Sequence, residues 1–154
     1  MIGKTILFVS LAIGKAMFPI SSENFEKGEK TKGLFRKSIL IVSLISFIAL
    51  IFCFFVPEFV IWLVSIGSNQ YLEASNILFI IALAYTFISF SNVIIIYNLS
   101  INNMKKSSWT LLFFVVLQIV LLSLFNSSLM EFSLALLTVS MLMLIYTVFI
   151  TRKN

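Results

Sequence analysis

Long apolar runs, separated by short polar connections, make up most of this chain of 154 residues. A helix needs about 20 apolar residues to cross the hydrocarbon core of a bilayer. Five runs are candidates by this measure, although the first is short. The pattern therefore predicts an all-α integral membrane protein, with residues 1–154 forming a single membrane domain. The five predicted helices cover approximately residues 5–20, 38–56, 76–101, 109–125 and 129–150.

The long polar run in this pattern is predicted to be a basic cytoplasmic loop at residues 21–37. Five of the eleven basic residues and three of the six acidic residues fall in this region. Five crossings place Lys105, Lys106, Arg152 and Lys153 on the same side as this loop, while Glu58, Glu73 and Glu131 fall on the other side. Because cytoplasmic loops are enriched in Lys and Arg, we expect the loop and the C-terminus inside and the N-terminus outside.

Composition supports a multi-pass protein of the cell membrane, in direct contact with the lipid bilayer. The hydrophobic fraction is 60%, the charged fraction is 11% and the mean hydropathy is +1.11. Soluble domains have about 45–50% apolar and about 25% charged residues. The net charge of +5 is concentrated in the loops and ends between the helices. The positions of these charges therefore indicate how the helices are oriented in the membrane, and we expect no binding to nucleic acid.

Enzymatic chemistry has few residues to use in this sequence. The chain has no histidine and a single cysteine, Cys53, and no carboxylate lies in the interior of a predicted span, since Glu131 is at the edge of 129–150. Metal ligation, general acid–base catalysis and covalent catalysis depend on such side chains. We therefore expect no enzymatic activity, no metal and no cofactor.

Residues 5–20 have two interpretations. A basic residue ahead of an apolar run resembles a signal peptide, although no cleavage site of small residues follows and Lys15 interrupts the run. Alternatively, the segment is the second half of a membrane helix whose beginning is missing. Ser10 and Gly14, and likewise Ala12 and Ala16, have the four-residue spacing that allows helices to approach closely in lipid. Pro19 is then expected to end or kink the helix at the cytoplasmic edge.

Residues 57–75 are predicted to form an outer loop that contains a short interfacial helix. Pro57 and Glu58 mark the exit from the second span, and the apolar segment 59–67 is too short to cross the bilayer. It contains Trp62, a residue type that is enriched at membrane interfaces.

Three polar side chains in or near the predicted spans are tentative substrate-binding residues. Lys15 either contacts an anionic substrate or extends its amine to the inner membrane surface. Ser89 and Asn92 lie three residues apart, hence on one face of a helix. They either hold neighbouring helices together or line a substrate path, because lipid cannot satisfy their hydrogen bonds.

Several short motifs occur in a recognisable order over residues 15–101. Met17-Phe18-Pro19-Ile20-Ser21 is followed by the charged Gly28-Glu29-Lys30 and then by Pro57-Glu58-Phe59-Val60-Ile61. Further along come Gly67, Tyr71-Leu72-Glu73-Ala74, Ile81-Ala82-Leu83-Ala84-Tyr85 and Ser91-Asn92. This series resembles the polysaccharide-export flippases of the multidrug/oligosaccharidyl-lipid/polysaccharide exporter superfamily. Members have twelve or more helices in two lobes, and the five predicted here match the eighth to twelfth.

The resemblance implies the C-terminal part of a transporter that flips lipid-linked oligosaccharide or polysaccharide precursors across the cytoplasmic membrane by alternating access. It implies a missing N-terminal lobe as partner, Lys15 attracting the substrate phosphate, and Ser89 and Asn92 bonding sugar hydroxyls or neighbouring helices. The start of the eighth helix, where relatives often carry a cavity arginine, is absent. Two alternatives remain open: a drug or metabolite antiporter of the same superfamily, and a non-transporting membrane assembly subunit.

Overall fold

The computed structural model describes residues 2–64, 75–102, 104–125 and 127–152, with side chains described over 4–62, 77–102, 105, 107–125 and 127–151. The described residues form six α-helices joined by short connections. Their bounds are α1 Ile2–Glu26, α2 Lys32–Phe55, α3 Pro57–Val64, α4 Ser75–Ser100, α5 Met104–Leu124 and α6 Leu129–Arg152.

Five of the described helices, α1, α2, α4, α5 and α6, are long and apolar enough to cross a membrane. They correspond to the five predicted spans and give an all-helical fold. The eight-residue α3 follows directly after α2, and Pro57 begins it at the position where a missing N–H costs a helix nothing. The rest of the predicted outer loop, including Gly67 and Tyr71, lies in 65–74, outside the described residues.

Helix α4 lies at the centre of the bundle. It contacts each of the other five helices, and its largest interfaces are with α1 and α6. Within its candidate span 44% of the residues are buried, compared with 17% for α5. Because it contacts all the other described helices, α4 contributes side chains to most of the interfaces inside the bundle.

The boundary between α1 and the basic loop differs from the sequence prediction. Helix α1 continues through Pro19 to Glu26, so that only residues 27–31 connect it to α2. A proline removes one backbone donor, and the turn after it is supported by a hydrogen bond from the Ser22 hydroxyl to the Pro19 carbonyl. An ion pair between Glu23 and Lys27, one turn apart, supports the end of the helix.

Gly28 ends α1. Its φ is +73°, in the left-handed region that favours glycine. The Gly28 N–H donates to the Phe25 carbonyl, and the Glu29 N–H donates to the Asn24 carbonyl. These two bonds form a Schellman motif, which satisfies carbonyls that would otherwise be left open at the helix end.

Helices α2 and α5 begin earlier than predicted, at Lys32 instead of residue 38 and at Met104 instead of residue 109. Apolar content determines where a span can start, whereas lysine and arginine are good helix formers and extend the helix beyond it. The first residues of α2 and α5 thus lie at one end of the bundle, together with the last residues of α4 and α6. We call this end, with the exposed Lys27, Lys30, Lys32, Arg36, Lys37 and Lys105, the basic end.

The distribution of polar and apolar side chains is inverted relative to a soluble protein. Large apolar side chains are exposed on α1, α2, α5 and α6, with Phe8, Phe55 and Trp109 each about 70% exposed. Among the described residues, the buried polar side chains are serines and threonines with a single asparagine, Asn98. An apolar exterior around an interior that mixes apolar side chains with small hydroxyl residues is the arrangement expected of helices packed in lipid.

Helices α1 and α4 pack closely together and share the largest interface among the described helices. Ser10 and Gly14 are buried on the face of α1 that contacts α4, as their spacing predicts. A Cβ atom on Gly14 would overlap the side chain of Ile96. Ala12 and Ala16 have the same spacing but are exposed. Only one of the two small-residue pairs therefore forms a helix contact among the described residues.

Candidate functional site

A groove of about 230 Å³ lies between α1 and α5 and is completed by α4 and α6. Its wall is mainly aliphatic and aromatic, with two amides as its polar groups. The residues that line it are Leu7, Leu11, Ile88, Asn92, Ile95, Leu111, Phe114, Val115, Gln118 and Met143. Both amides lie within the candidate spans of α4 and α5.

The amides of Asn92 and Gln118 give the groove its polar character. Asn92 lies on α4, and Gln118 lies on α5, on the facing wall. The Asn92 amide nitrogen is shielded from solvent and has no hydrogen-bond partner among the described residues. A buried donor without a partner costs about 1–3 kcal/mol. The Asn92 and Gln118 side chains are the polar groups that the described lining of the groove offers to a ligand.

Lys15 lies one helical turn beyond the groove wall. It follows Leu11 by four residues on α1, so the two lie on the same side of that helix. Its side chain is exposed. Lys15 lies 11 residues from each end of the candidate span Lys4–Glu26, about 16 Å of helix rise. The helix continues past Pro19, where the sequence predicted an end or a kink. The two roles predicted for Lys15, contact with an anionic substrate and extension to the inner membrane surface, stay predictions.

Ser89 does not line the groove. Its side chain is completely buried, and its hydroxyl has no hydrogen-bond partner among the described residues. Of the two roles that the sequence left open, contact between helices fits this burial better than direct contact with a substrate. The structure therefore brings Asn92 and Gln118 together, places Lys15 one turn away and leaves Ser89 inside the bundle.

A second polar cluster lies at the basic end and is directed to the interior. The Tyr97 hydroxyl is 3.0 Å from the Thr31 hydroxyl, and both residues are buried. The Tyr97 ring stacks on Phe35 at 4.3 Å between centroids. These contacts join the start of α2 to α4. On the neighbouring side, the Asn98 amide donates to the Thr151 hydroxyl at 2.9 Å and joins α4 to α6.

The described lining of the groove contains no charged residue, and the described residues contain no group of three or more His, Cys, Asp or Glu that could hold a metal ion. The groove thus offers two neutral amides and a long apolar wall, with a cation one turn away on α1. This combination suits an amphiphile.

Sequence reasoning identified Asn92 but did not include Gln118 as a site residue. Gln118 was recognisable as the strongly polar residue of the fourth span. Its pairing with Asn92 could not be predicted, because it depends on how α5 lies against α4. A search for amides in separate spans at similar depth would have suggested the pair.

Comparison with known protein families, with curated proteins and with solved structures finds no match to this chain.

Proposed function

We propose that this chain is part of a transporter that moves lipid-linked oligosaccharide precursors across a membrane, as the sequence motifs over residues 15–101 suggest. The observation that carries the proposal is the groove between candidate membrane spans, with amides from two different helices in its lining. A transporter of amphiphiles needs hydrogen-bonding groups for the polar headgroup inside the bilayer, where lipid supplies none.

In this proposal Lys15 holds the phosphate of the substrate. An exposed lysine at the centre of a candidate span is costly in lipid alone, so it indicates a functional contact. Its position one turn from Leu11 places the cation beside the groove. Asn92 and Gln118 then bind hydroxyl or carbonyl groups of the sugar part, and Ser89 supports α4 from inside the bundle. The missing lobe of the resembled family would close the site from the other side.

The test is a flipping assay on the complete gene product, including any sequence encoded upstream in frame. The protein is reconstituted in vesicles with a fluorescent lipid-linked oligosaccharide, and protection from an impermeant quencher is measured. We expect Lys15→Gln to reduce the flipping rate about tenfold or more, because a charge-assisted hydrogen bond contributes about 1.5–3 kcal/mol. Lys15→Arg should retain most of the activity, since it keeps the charge.

The matched control is Lys27→Gln. Lys27 is exposed at the end of α1 and paired with Glu23, far from the groove residues along the helix. Equal loss in both variants would indicate a general effect of charge and contradict a phosphate contact at Lys15. Proton-dependent export of a drug, without flipping of the lipid-linked sugar, would replace the proposal by the antiporter alternative.

A further inference from the structure

The outward face of α2 carries three cations followed by a long apolar stripe. Lys32, Arg36 and Lys37 are exposed in the first two turns of the helix. Large apolar side chains continue the same exposed surface toward the other end of the helix, at Leu40, Ile41, Leu44, Phe47 and Ile48. We call these eight residues the outer face of α2.

Helix geometry aligns the charged and apolar parts of this face. Leu40 follows Arg36 by four residues, and Ile41 follows Lys37 by four, so each apolar side chain lies about 6 Å below a cation. Leu44 continues the first of these rows by another turn and is 62% exposed. A molecule that contacts the whole face must be anionic at one end and apolar along its length.

The cations of this face are available to a partner. Among the described residues, the acidic side chains of the basic end provide one ion pair, between Glu23 and Lys27. Lys32, Arg36 and Lys37 have no ion pair within the described part of the chain. The hydrogen bond between Thr31 and Tyr97 and the stacking of Phe35 on Tyr97 fix the first turn of α2 against α4. The three cations are thus held on a rigid support.

We propose that the outer face of α2 binds an anionic phospholipid, with its phosphate at Arg36 and Lys37 and its acyl chains along Leu40, Ile41 and Leu44. Basic residues directly at the end of a membrane span attract anionic headgroups. Nucleic acid and acidic soluble proteins would use the cations but not the apolar row below them. The site is separate from the groove and does not depend on the transport proposal.

The test is lipid selectivity of the purified full-length chain, measured by native mass spectrometry. The protein is equilibrated with equal amounts of phosphatidylglycerol and phosphatidylcholine, and retained lipids are counted. We expect a preference for phosphatidylglycerol that falls at least fivefold in Arg36→Gln/Lys37→Gln, because each cation near a membrane surface contributes roughly a fivefold change in binding. Lys27→Gln, which removes a cation already paired with Glu23, should leave the preference unchanged.

A second measurement remains informative if the double variant does not fold. The wild-type preference should decrease as salt is raised from about 0.1 M to 1 M, since the Debye length falls from about 10 Å to 3 Å. Arg36→Lys/Lys37→Arg, which keeps both charges, should retain the preference. An unchanged preference in the folded double variant, an equal loss in Lys27→Gln, or co-purification of nucleic acid that depends on the same two cations would each overturn the proposal.

Discussion

Two polar side chains on α4, only five residues apart, have opposite environments. Tyr97 is 5% exposed, its hydroxyl pairs with Thr31 and its ring stacks on Phe35. Asn92 lines the groove, and its amide nitrogen has no partner among the described residues. Hydrogen bonds are expensive to leave unmade inside a membrane. The difference suggests that Tyr97 stabilises the bundle, whereas the hydrogen-bond partner of the Asn92 amide comes from outside the bundle.

Helix α1 likewise has one face that packs against α4 and an adjacent face that lines the groove. Ser10 and Gly14 are buried against α4, and Gly14 leaves no space for a side chain beside Ile96. Leu7 and Leu11 line the groove, with Lys15 one turn further on. Substitutions on the packed face should therefore affect stability, and substitutions on the groove face should affect function.

The largest effect is expected at Gly14. Gly14→Leu inserts a branched side chain where even a Cβ atom would overlap Ile96, so α1 must move away from α4. Overpacking of this kind costs about 1–3 kcal/mol. Gly14→Ala should cost less, because the atom it meets is the far end of the flexible Ile96 side chain. The measurement is the free energy of unfolding in mixed micelles.

Ala12→Leu is the matched control for Gly14. Ala12 lies on the same helix but is exposed, so a larger apolar side chain there should change the free energy of unfolding by less than about 0.5 kcal/mol. If Ala12→Leu destabilised the protein as much as Gly14→Leu, the distinction between the two faces of α1 would be wrong.

A smaller effect is expected at the basic end. Tyr97→Phe keeps the stacking on Phe35 but removes the hydroxyl that bonds to Thr31. Hydrogen bonds between membrane helices contribute about 0.6 kcal/mol on average and at most about 1.7 kcal/mol. Tyr97→Phe should therefore reduce the free energy of unfolding within this range. In a double-mutant cycle with Thr31→Val, the coupling should be of the same size, and a coupling of zero would contradict the bond.

Much of the fold could be predicted from hydrophobic periodicity, but the helix ends could not. The five candidate spans could be predicted because an apolar run of about 20 residues rarely forms anything except a membrane-spanning helix. Pro19 suggested a helix end that the structure does not have, because Glu23 and Lys27 support the helix beyond it, which continues for about two turns, and Gly28 provides the stop. The longer helix places Lys15 in the middle of a candidate span instead of next to its end.

The site was only partly predictable because it depends on packing between distant segments. Ser10 and Gly14 could be identified from their spacing, but an identical spacing at Ala12 and Ala16 does not form a contact among the described residues. Similarly, Ser89 and Asn92 were expected to share a face, yet one is buried and the other lines the groove. Sequence patterns identify candidate contact and groove residues, but the packing of the helices around α4 determines which of them take these positions.

The smallest effect on stability, and the most informative comparison with Tyr97, is expected at Asn92. Asn92→Leu replaces an amide that has an unpartnered nitrogen by an apolar side chain of similar size. A buried donor without a partner carries a desolvation penalty, and its removal relieves that penalty. The free energy of unfolding should therefore change by less than about 0.5 kcal/mol or increase. The flipping rate of the lipid-linked oligosaccharide should nevertheless fall, because the groove loses one of its two amides.

Gln118→Leu provides the companion variant, since Gln118 is the other amide of the groove. Both single variants should reduce flipping without loss of stability, and the double variant should add little if the two amides bind the same sugar group. Destabilisation of more than about 1 kcal/mol by Asn92→Leu would show that this side chain holds helices together, as Tyr97 does. Unchanged flipping in both stable variants would leave the groove without the role proposed for it. Stability and transport are measured separately. The results therefore distinguish a structural role for Asn92, like that of Tyr97, from a role in the groove.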